Sequence, residues 1–284
     1  MTADAGGRCL NCDAPAMRRV RSVTVLRDQP AALEHCSACD FLGLADPHWL
    51  TRAYATPFFG DTGYVQRNLE QARFMRLLLA VHATLRGNGR LYRACDLGTG
   101  LGLFPRLMRD HGYDFWGTDA YAEMLLIRPF VDPPEPPPIL TAFEVIEHVA
   151  SLPRFLAASV RGAELLVCST LLRPDGEVPP PTWWYYAHEL GQHISFHSRR
   201  SFREALRGAG LPETSLISVT DALHVCVFAP DWRLPVAIAA RLHRSPLLRP
   251  VGAALTRLRA RPSLTWPDHL QAMRALGRED VTTR

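Results

Sequence analysis

Hydrophobic and polar positions divide the chain into four stretches. In the first, Met17 to Leu26 reads as a hairpin strand region. In the second, Leu69, Phe74, Leu77, Leu78 and Val81 recur at helical spacing. They predict a helix from about Gly63 to Leu85, ended by Gly87-Asn88-Gly89. Asp46-Pro47 predicts a helix start just before it, with Asp46 as cap and Pro47 in the first position. The third stretch carries short apolar runs that predict strands near 91–96, 114–118, 138–143, 163–169, 215–220 and 223–229. A helix is expected over 102–111, with Pro105 tolerated in its first turn and Gly112 as its stop. Another restarts at Ser198 and ends by Gly208 to Gly210. In the fourth, from Arg233, apolar stretches alternate with arginines such as Arg241, Arg244, Arg257 and Arg261. This predicts an amphipathic pair of helices. Strands alternating with helices indicate an α/β fold. The expected organisation is 1–46 a ribbon, 47–89 a helical linker or lid, 90–232 the sheet domain and 233–284 a basic helical tail.

Composition sharpens this picture only in places. The 284 residues are 47% hydrophobic and carry a net charge of +4, too mild to imply nucleic acid by itself. Every basic side chain other than histidine is arginine. No signal-like leader or run of about 18 apolar residues is seen, so a cytoplasmic protein is expected. Cysteine spacing says more. Cys9-x-x-Cys12 and Cys36-x-x-Cys39 form two knuckles, each projecting two thiolates. Together they can complete a tetrahedral four-sulfur shell suited to structural zinc, because a closed shell has no open position for chemistry. Cys95, Cys168 and Cys226 lie in apolar runs and read as small buried hydrophobes.

The densest chemistry is Tyr92-Arg-Ala-Cys-Asp-Leu-Gly-Thr-Gly-Leu-Gly-Leu-Phe104. It reads as a strand, an acid, a glycine turn and a helix start. Asp119 ends the next strand, where its carboxylate can accept from ribose hydroxyls. A dinucleotide fingerprint would place a small third residue at Leu103. Here the third glycine comes one position earlier, and Asp96 precedes the turn. The D-x-G-x-G-x-G form resembles motif I of the class I S-adenosylmethionine-dependent methyltransferases. Ile139-Leu-Thr-Ala-Phe-Glu-Val-Ile-Glu-His-Val149 resembles the fourth-strand segment of the same superfamily. This implies a Rossmann-like sheet with Asp96, Gly98, Thr99, Gly100, Gly102, Asp119, Ala120, Phe143 and Glu144 as the S-adenosylmethionine-binding set. Glu147 and His148 would fall on the first turn of the following helix. Between Asp119 and Phe143 such domains usually fit a further helix and strand, with an acid near the adenine. The proline-rich run Val131–Pro138 stands there instead, and it offers no clear acid.

Trp183-Trp-Tyr-Tyr186 cannot bury all four rings on one regular face, so part of it should line a surface or pocket. The run Gly191-Gln-His-Ile-Ser-Phe-His-Ser198 adds to the resemblance. Bacterial sugar C-methyltransferases with an amino-terminal four-cysteine ribbon look like relatives. In them a Glu-His-led run sits in the substrate site; here Gln192 replaces the acid and His193 keeps the histidine. The resemblance implies His193 as first candidate for a general base, with His148, Tyr185 and Tyr186 behind it. Trp183–His193 would form the acceptor side. The expected function is methyl transfer to a small molecule or glycan precursor. The alternatives are an RNA methyltransferase docking RNA through the ribbon and a non-catalytic cofactor-binding scaffold. The basic tail could also contact a membrane surface.

Overall fold

A computed structural model describes residues 7–55, 62–87, 92–275 and 277. The elements, in chain order, begin with β1 (Met17–Val25), β2 (Gln29–Cys36) and β3 (Leu42–Leu44). Helices α1 (Leu50–Tyr54) and α2 (Thr62–Arg86) follow. Next come β4 (Arg93–Leu97), α3 (Leu103–Asp110), β5 (Asp114–Thr118), β6 (Ile139–Phe143), α4 (Leu152–Ser159) and β7 (Leu165–Ser169). The remainder is β8 (Ser195–Phe196), α5 (Arg199–Gly208), β9 (Leu216–Ser218), β10 (Leu223–Val227), α6 (Arg233–Arg244), α7 (Arg249–Leu258) and α8 (Thr265–Ala275). Two sheets result, with strand orders β1-β2-β3-β8 and β5-β4-β6-β7-β10-β9. In the larger sheet β4 runs parallel to both β5 and β6, and β10 pairs antiparallel with β9. That is a mixed α/β sheet in which the glycine turn leaves a parallel strand.

The described chain falls into two compact units. The first comprises residues 1–57, 144–161 and 168–226. Its core is built by Val25, Leu33, Leu42, Leu44, Trp49, Tyr185, Tyr186, Ile194 and Phe196. The hairpin β1–β2 alternates half-buried and exposed positions, as expected of a sheet with one wet face. Its partner β3 is paired on the far side by β8, about 150 residues later in sequence. A buried ion pair, Arg173 with Asp40 at 3.1 Å, ties the turn after β2 to the segment after β7. The Arg173 guanidinium also donates to the Asp40 and Glu177 carbonyls, so the buried charge is fully engaged.

The second unit comprises 58–143, 162–167 and 227–284. Helix α2 buries Phe74, Met75, Leu78 and Leu79. It packs against α3 and α6, which contribute Phe104, Met108, Val236, Ala239 and Ala240, and against α7. On α3, Arg109 is buried and donates twice to Asp268 of α8 at 2.8 Å; it also bonds Asp114 and the Phe115 carbonyl. Its guanidinium stacks 3.4 Å from the Phe130 ring centroid. The basic carboxyl-terminal region is thus three helices, not the expected pair, and α6 and α8 are anchored to this unit.

Two further expectations change. Asp46 does not cap a helix: its φ is +42°, and an N-cap needs extended backbone. Asp46–Trp49 is a turn closed by the His48 N–H donating to the Asp46 carbonyl, and α1 begins at Leu50. Ile146–His148 is an isolated 3₁₀ turn rather than the first turn of a helix; α4 starts only at Leu152, after Val149 returns to extended backbone. Between β5 and β6 the described chain holds only a 3₁₀ turn, Arg128–Phe130, and one parallel bridge from Val131 to Gly117. Prolines 133, 134 and 136–138 lack the N–H a ladder requires, so a full strand cannot form there. Asn88 and Gly89, expected to end α2, lie outside the described residues; Gly87 at φ +90° is the last one described there.

Candidate functional site

The glycine turn sits between the carboxyl end of β4 and the start of α3. Gly98, Gly100 and Gly102 all have positive φ, at 66°, 59° and 85°. Those conformations strain any residue with a Cβ. At Gly102 a Cβ would also lie 2.5 Å from Ile127 Cγ1. The turn is pinned by Gly98 N–H donating to the Thr118 carbonyl at 2.8 Å and by Gly100 N–H donating to Asp119 Oδ2 at 2.7 Å. Asp119 Oδ1 accepts from Tyr121 N–H and Ala122 N–H, both at 2.8 Å. A carboxylate offers about four acceptor sites. Three are used to shape the loop, which leaves roughly one for a ligand hydroxyl. Ala120 lies between these contacts, and Thr99 is buried within the turn.

Asp96 is almost wholly buried and accepts a short hydrogen bond from Thr141 Oγ1 at 2.5 Å. Burial pushes its carboxyl up to about 7, against the pull of the Thr141 and Thr99 hydroxyls. An acid held near neutrality at a glycine turn can respond to a cationic ligand by ionising. These residues fit a nucleoside with a positively charged substituent: a close backbone approach, a fixed acceptor at Asp119 and a tunable acid at Asp96. Phe143 closes β6 and meets Phe104 edge to face at 4.8 Å.

Glu144, the next residue, takes φ +55°, a rare conformation for a side chain of this size. Its N–H donates to Ser169 Oγ, and that hydroxyl donates back to Glu144 Oε1 at 2.6 Å. This reversal starts the 3₁₀ turn that carries Glu147 and His148. Glu147 is fully buried; the Tyr185 and Thr170 hydroxyls face its carboxyl, but neither carboxylate oxygen makes a hydrogen bond of good geometry. Burial, then the Glu144 charge, push its carboxyl up to about 8. His148 bonds Tyr54 Oη through Nδ1 at 2.7 Å, and burial pushes its pKa down to about 3. His193 reaches the same place from the loop before β8. Its Nδ1 bonds the Tyr185 carbonyl at 2.7 Å, and its ring centroid lies 5.0 Å from that of His148. One ligand atom from each of Glu147, His148 and His193 falls within 4.8 Å of the others.

Of the four proton-transfer candidates His148 and His193 therefore meet, Tyr185 packs its ring against His193 with centroids 4.8 Å apart, and Tyr186 does not join them. The Tyr186 hydroxyl donates to the Pro179 carbonyl and receives from Arg21, and its ring belongs to the core of the first unit. Of the aromatic run only Trp184 is strongly exposed, at 74%. Gln192 donates to the Ala53 carbonyl and so anchors α1. Glu147 and Tyr54 were not singled out as site residues from sequence. Glu147 had a readable signal, an acid amid Val145, Ile146 and Val149, whereas nothing in the sequence links Tyr54 to position 148.

The four cysteines of the knuckles converge. Cys9 and Cys39 Sγ are 3.7 Å apart, as are Cys12 and Cys36 Sγ, and all four lie within 4.8 Å. A tetrahedral zinc with bonds of 2.3 Å has sulfur–sulfur edges of about 3.8 Å, so the spacing fits that ion and is far too long for disulfides. Asn11 donates from its backbone to Cys9 Sγ at 3.4 Å and from its side chain to Cys39 Sγ at 3.6 Å, as expected around thiolates. A pocket of about 400 Å³ lies beside this knuckle, lined by residues such as Asn11, Arg154 and Arg207. It contains neither the glycine turn nor the histidine cluster, so its size does not make it the reaction site.

Comparison with known proteins adds the following. No curated protein sequence matches the chain. Solved structures of low similarity include human N-acetylserotonin methyltransferase in complex with SAM, at 10% identity, 56% of this chain, 51% of that chain and a TM-score of 0.42. An O-methyltransferase family protein from Burkholderia thailandensis matches at 15% identity over 57% and 56%, with a TM-score of 0.41. Magnesium protoporphyrin IX methyltransferase from Synechocystis PCC 6803 with bound SAH matches at 15% identity over 63% and 91%, with a TM-score of 0.36. The chain spans about half the length of the first two. A family model described as a methyltransferase domain matches residues 65–215, more than half of the chain, from α2 past the glycine turn and the histidine cluster to the residue before β9. The chain belongs to this methyltransferase-domain family.

Proposed function

We propose that this protein transfers a methyl group from S-adenosylmethionine to a small-molecule or glycan-precursor acceptor. The observation that supports this best is the glycine turn held between Asp96 and Asp119. Asp96, Gly98, Thr99, Gly100, Gly102, Asp119 and Ala120 would hold the cofactor, with Phe143 and Glu144 at the end of β6. When bound, the cofactor supplies a methyl group already activated on a sulfonium, so the chain's task is alignment and exclusion of water.

A hydroxyl acceptor must also lose a proton. Glu147, His148 and His193 are the groups we assign to the acceptor side. They follow closely on the carboxyl end of β6, and in open α/β sheets ligands bind beyond the carboxyl ends of the strands. His193 is held by its Nδ1 to a carbonyl, which places a proton on Nδ1 and leaves the basic lone pair on Nε2. Tyr186 is left out of this role because its hydroxyl already serves Pro179 and Arg21. We also assign a structural zinc to Cys9, Cys12, Cys36 and Cys39.

Transfer of label from methyl-tritiated S-adenosylmethionine to a panel of hydroxylated small molecules tests the reading. At least one acceptor should be labelled, and His193→Ala should lower that turnover by about 10²–10⁴ with cofactor affinity unchanged. Label appearing in RNA, and in no small molecule, would contradict it.

A further inference from the structure

We propose that Glu147, His148 and His193 form a binding site for one divalent first-row transition-metal ion, separate from the four-cysteine cluster. The three ligand atoms lie within 4.8 Å of one another. Two ligands on a shared tetrahedral ion with bonds near 2.1 Å sit about 3.4 Å apart. Sub-ångström shifts per side chain and small χ adjustments close that gap.

Three observations favour a cation over a packed polar cluster. Glu147 is completely buried, and neither carboxylate oxygen makes a hydrogen bond of good geometry. A buried carboxyl without good hydrogen bonds is costly even as the neutral acid and can ionise there only beside a compensating positive charge, and no arginine reaches it with a hydrogen bond. Secondly, both histidines are oriented from behind. His193 Nδ1 is engaged by the Tyr185 carbonyl and His148 Nδ1 by the Tyr54 hydroxyl. Metal-bound histidines characteristically use one ring nitrogen in this way, which fixes the tautomer and aims the other at the ion. Thirdly, the three ligands come from two separate segments, Glu147–His148 from a 3₁₀ turn and His193 from the loop before β8. The Glu147 carbonyl accepts from Ile194 N–H at 2.9 Å and locks these segments in register.

Two imidazoles and one carboxylate suit manganese, iron(II), cobalt, nickel or zinc better than calcium or magnesium, which take oxygen shells. Three protein ligands leave coordination positions open, unlike the closed shell of the cysteines. If the methyl-transfer reading holds, those positions would take the oxygen of a hydroxylated acceptor. With the metal bound, His193 acts as a ligand in place of a base: the cation would lower the pKa of that hydroxyl, and its proton would pass to solvent water. The inferred acceptor class is therefore an oxygen nucleophile able to ligate a metal, such as an enol, a catechol or a hydroxy acid.

The test uses the full chain, equilibrated by dialysis with excess zinc alone and, in a separate sample carrying a single zinc equivalent at the cysteines, with manganese(II) alone. Wild-type protein should retain two equivalents of zinc in the first experiment. In the second it should take up one manganese(II), counted by loss of the free-ion paramagnetic resonance signal. Glu147→Gln should weaken manganese(II) binding at least tenfold while keeping one zinc and a native circular dichroism spectrum. Should Glu147→Gln fail to fold, His193→Asn carries the same test. One equivalent of zinc with no manganese(II) uptake overturns the proposal, as does uptake unchanged by both substitutions. Calorimetry with S-adenosylmethionine on the same samples separates the two ideas. Cofactor bound without any second metal removes only the metal site, whereas metal bound without cofactor removes only the methyl-transfer reading.

Discussion

At the scale of single residues, the site is defined by side chains placed against their solution preferences. Asp96 illustrates this best. Its carboxyl is near 7 in the folded chain and near 3.8 when unfolded. Between those values the native state holds a proton that the unfolded state does not. The resulting stability is fully present below pH 3.8 and is lost as pH rises through 7, at up to roughly 1.4 kcal/mol per pH unit. Denaturant titrations of the cofactor-free chain from pH 5 to 8 should therefore show a falling stability that Asp96→Asn makes less steep, with buried Glu147 contributing the slope that remains. Parallel curves for the two proteins would mean that Asp96 ionises normally. Much of the glycine turn was legible beforehand, because positive φ at three alternate positions demands glycine and leaves a spacing in the sequence. His193 was legible through the run Gly191–Ser198. The meeting of His148, His193 and Tyr54 was not, since contacts across 45 and 94 positions leave no local pattern.

At the scale of elements, two tethers decide how secondary structure is held. The first is the cysteine cluster. Its knuckles bracket the β1–β2 hairpin, and the zinc we propose there would contribute directly to folding. Cys36→Ser should abolish the stoichiometric zinc and lower the stability of the first unit, read by elemental analysis together with thermal melts. A fully folded wild-type chain that holds no tightly bound zinc would refute the assignment. The second is the buried Arg109–Asp268 pair that fastens α8. Asp268→Ala leaves Arg109 with Asp114 and a carbonyl but strips its bidentate partner. Removing one member of a buried pair costs about 3–5 kcal/mol, and the remaining Asp114 contact places the expected loss at the lower end. Denaturant unfolding measures it; a change below about 0.5 kcal/mol, ordinary for a surface site, would show that α8 is held by apolar contact alone.

Elements with strong internal periodicity were readable in advance. The expected span of α2 was Gly63–Leu85 and the observed one is Thr62–Arg86; β5 matches its expected bounds. The misreadings share one cause, backbone geometry that composition does not announce. Asp46-Pro47 has the residue types of a helix start, yet Asp46 adopts a left-handed conformation and closes a turn. Glu147-His148 has the look of a first helical turn, yet the chain straightens at Val149 before α4 begins.

At the scale of the whole molecule, the larger sheet sets the chemistry. Parallel β4 and β6 adjoin, so both end on the same edge of the sheet, where β4 runs into the glycine turn. The segment after β5 forms one bridge where a longer domain would fit a strand. Under the proposed function, ligand recognition there would rely on Asp119 and the loop backbone. The sequence carried this too, as a run of prolines without ladder donors. The smaller sheet was only partly legible. Its hairpin was expected, but β8 joins it from far downstream, and such a pairing is decided by packing, not by local pattern.

The central claim is that the Asp96–Asp119 turn binds S-adenosylmethionine. Titration calorimetry on the full chain, with S-adenosylmethionine and NAD compared, tests it most directly. The sulfonium cofactor should bind at one site per chain and NAD should not compete. Asp119→Ala should weaken binding by about 1.5–3 kcal/mol, roughly ten- to a hundredfold, through loss of a charged acceptor. An affinity unchanged in Asp119→Ala, or a preference for NAD, would contradict it.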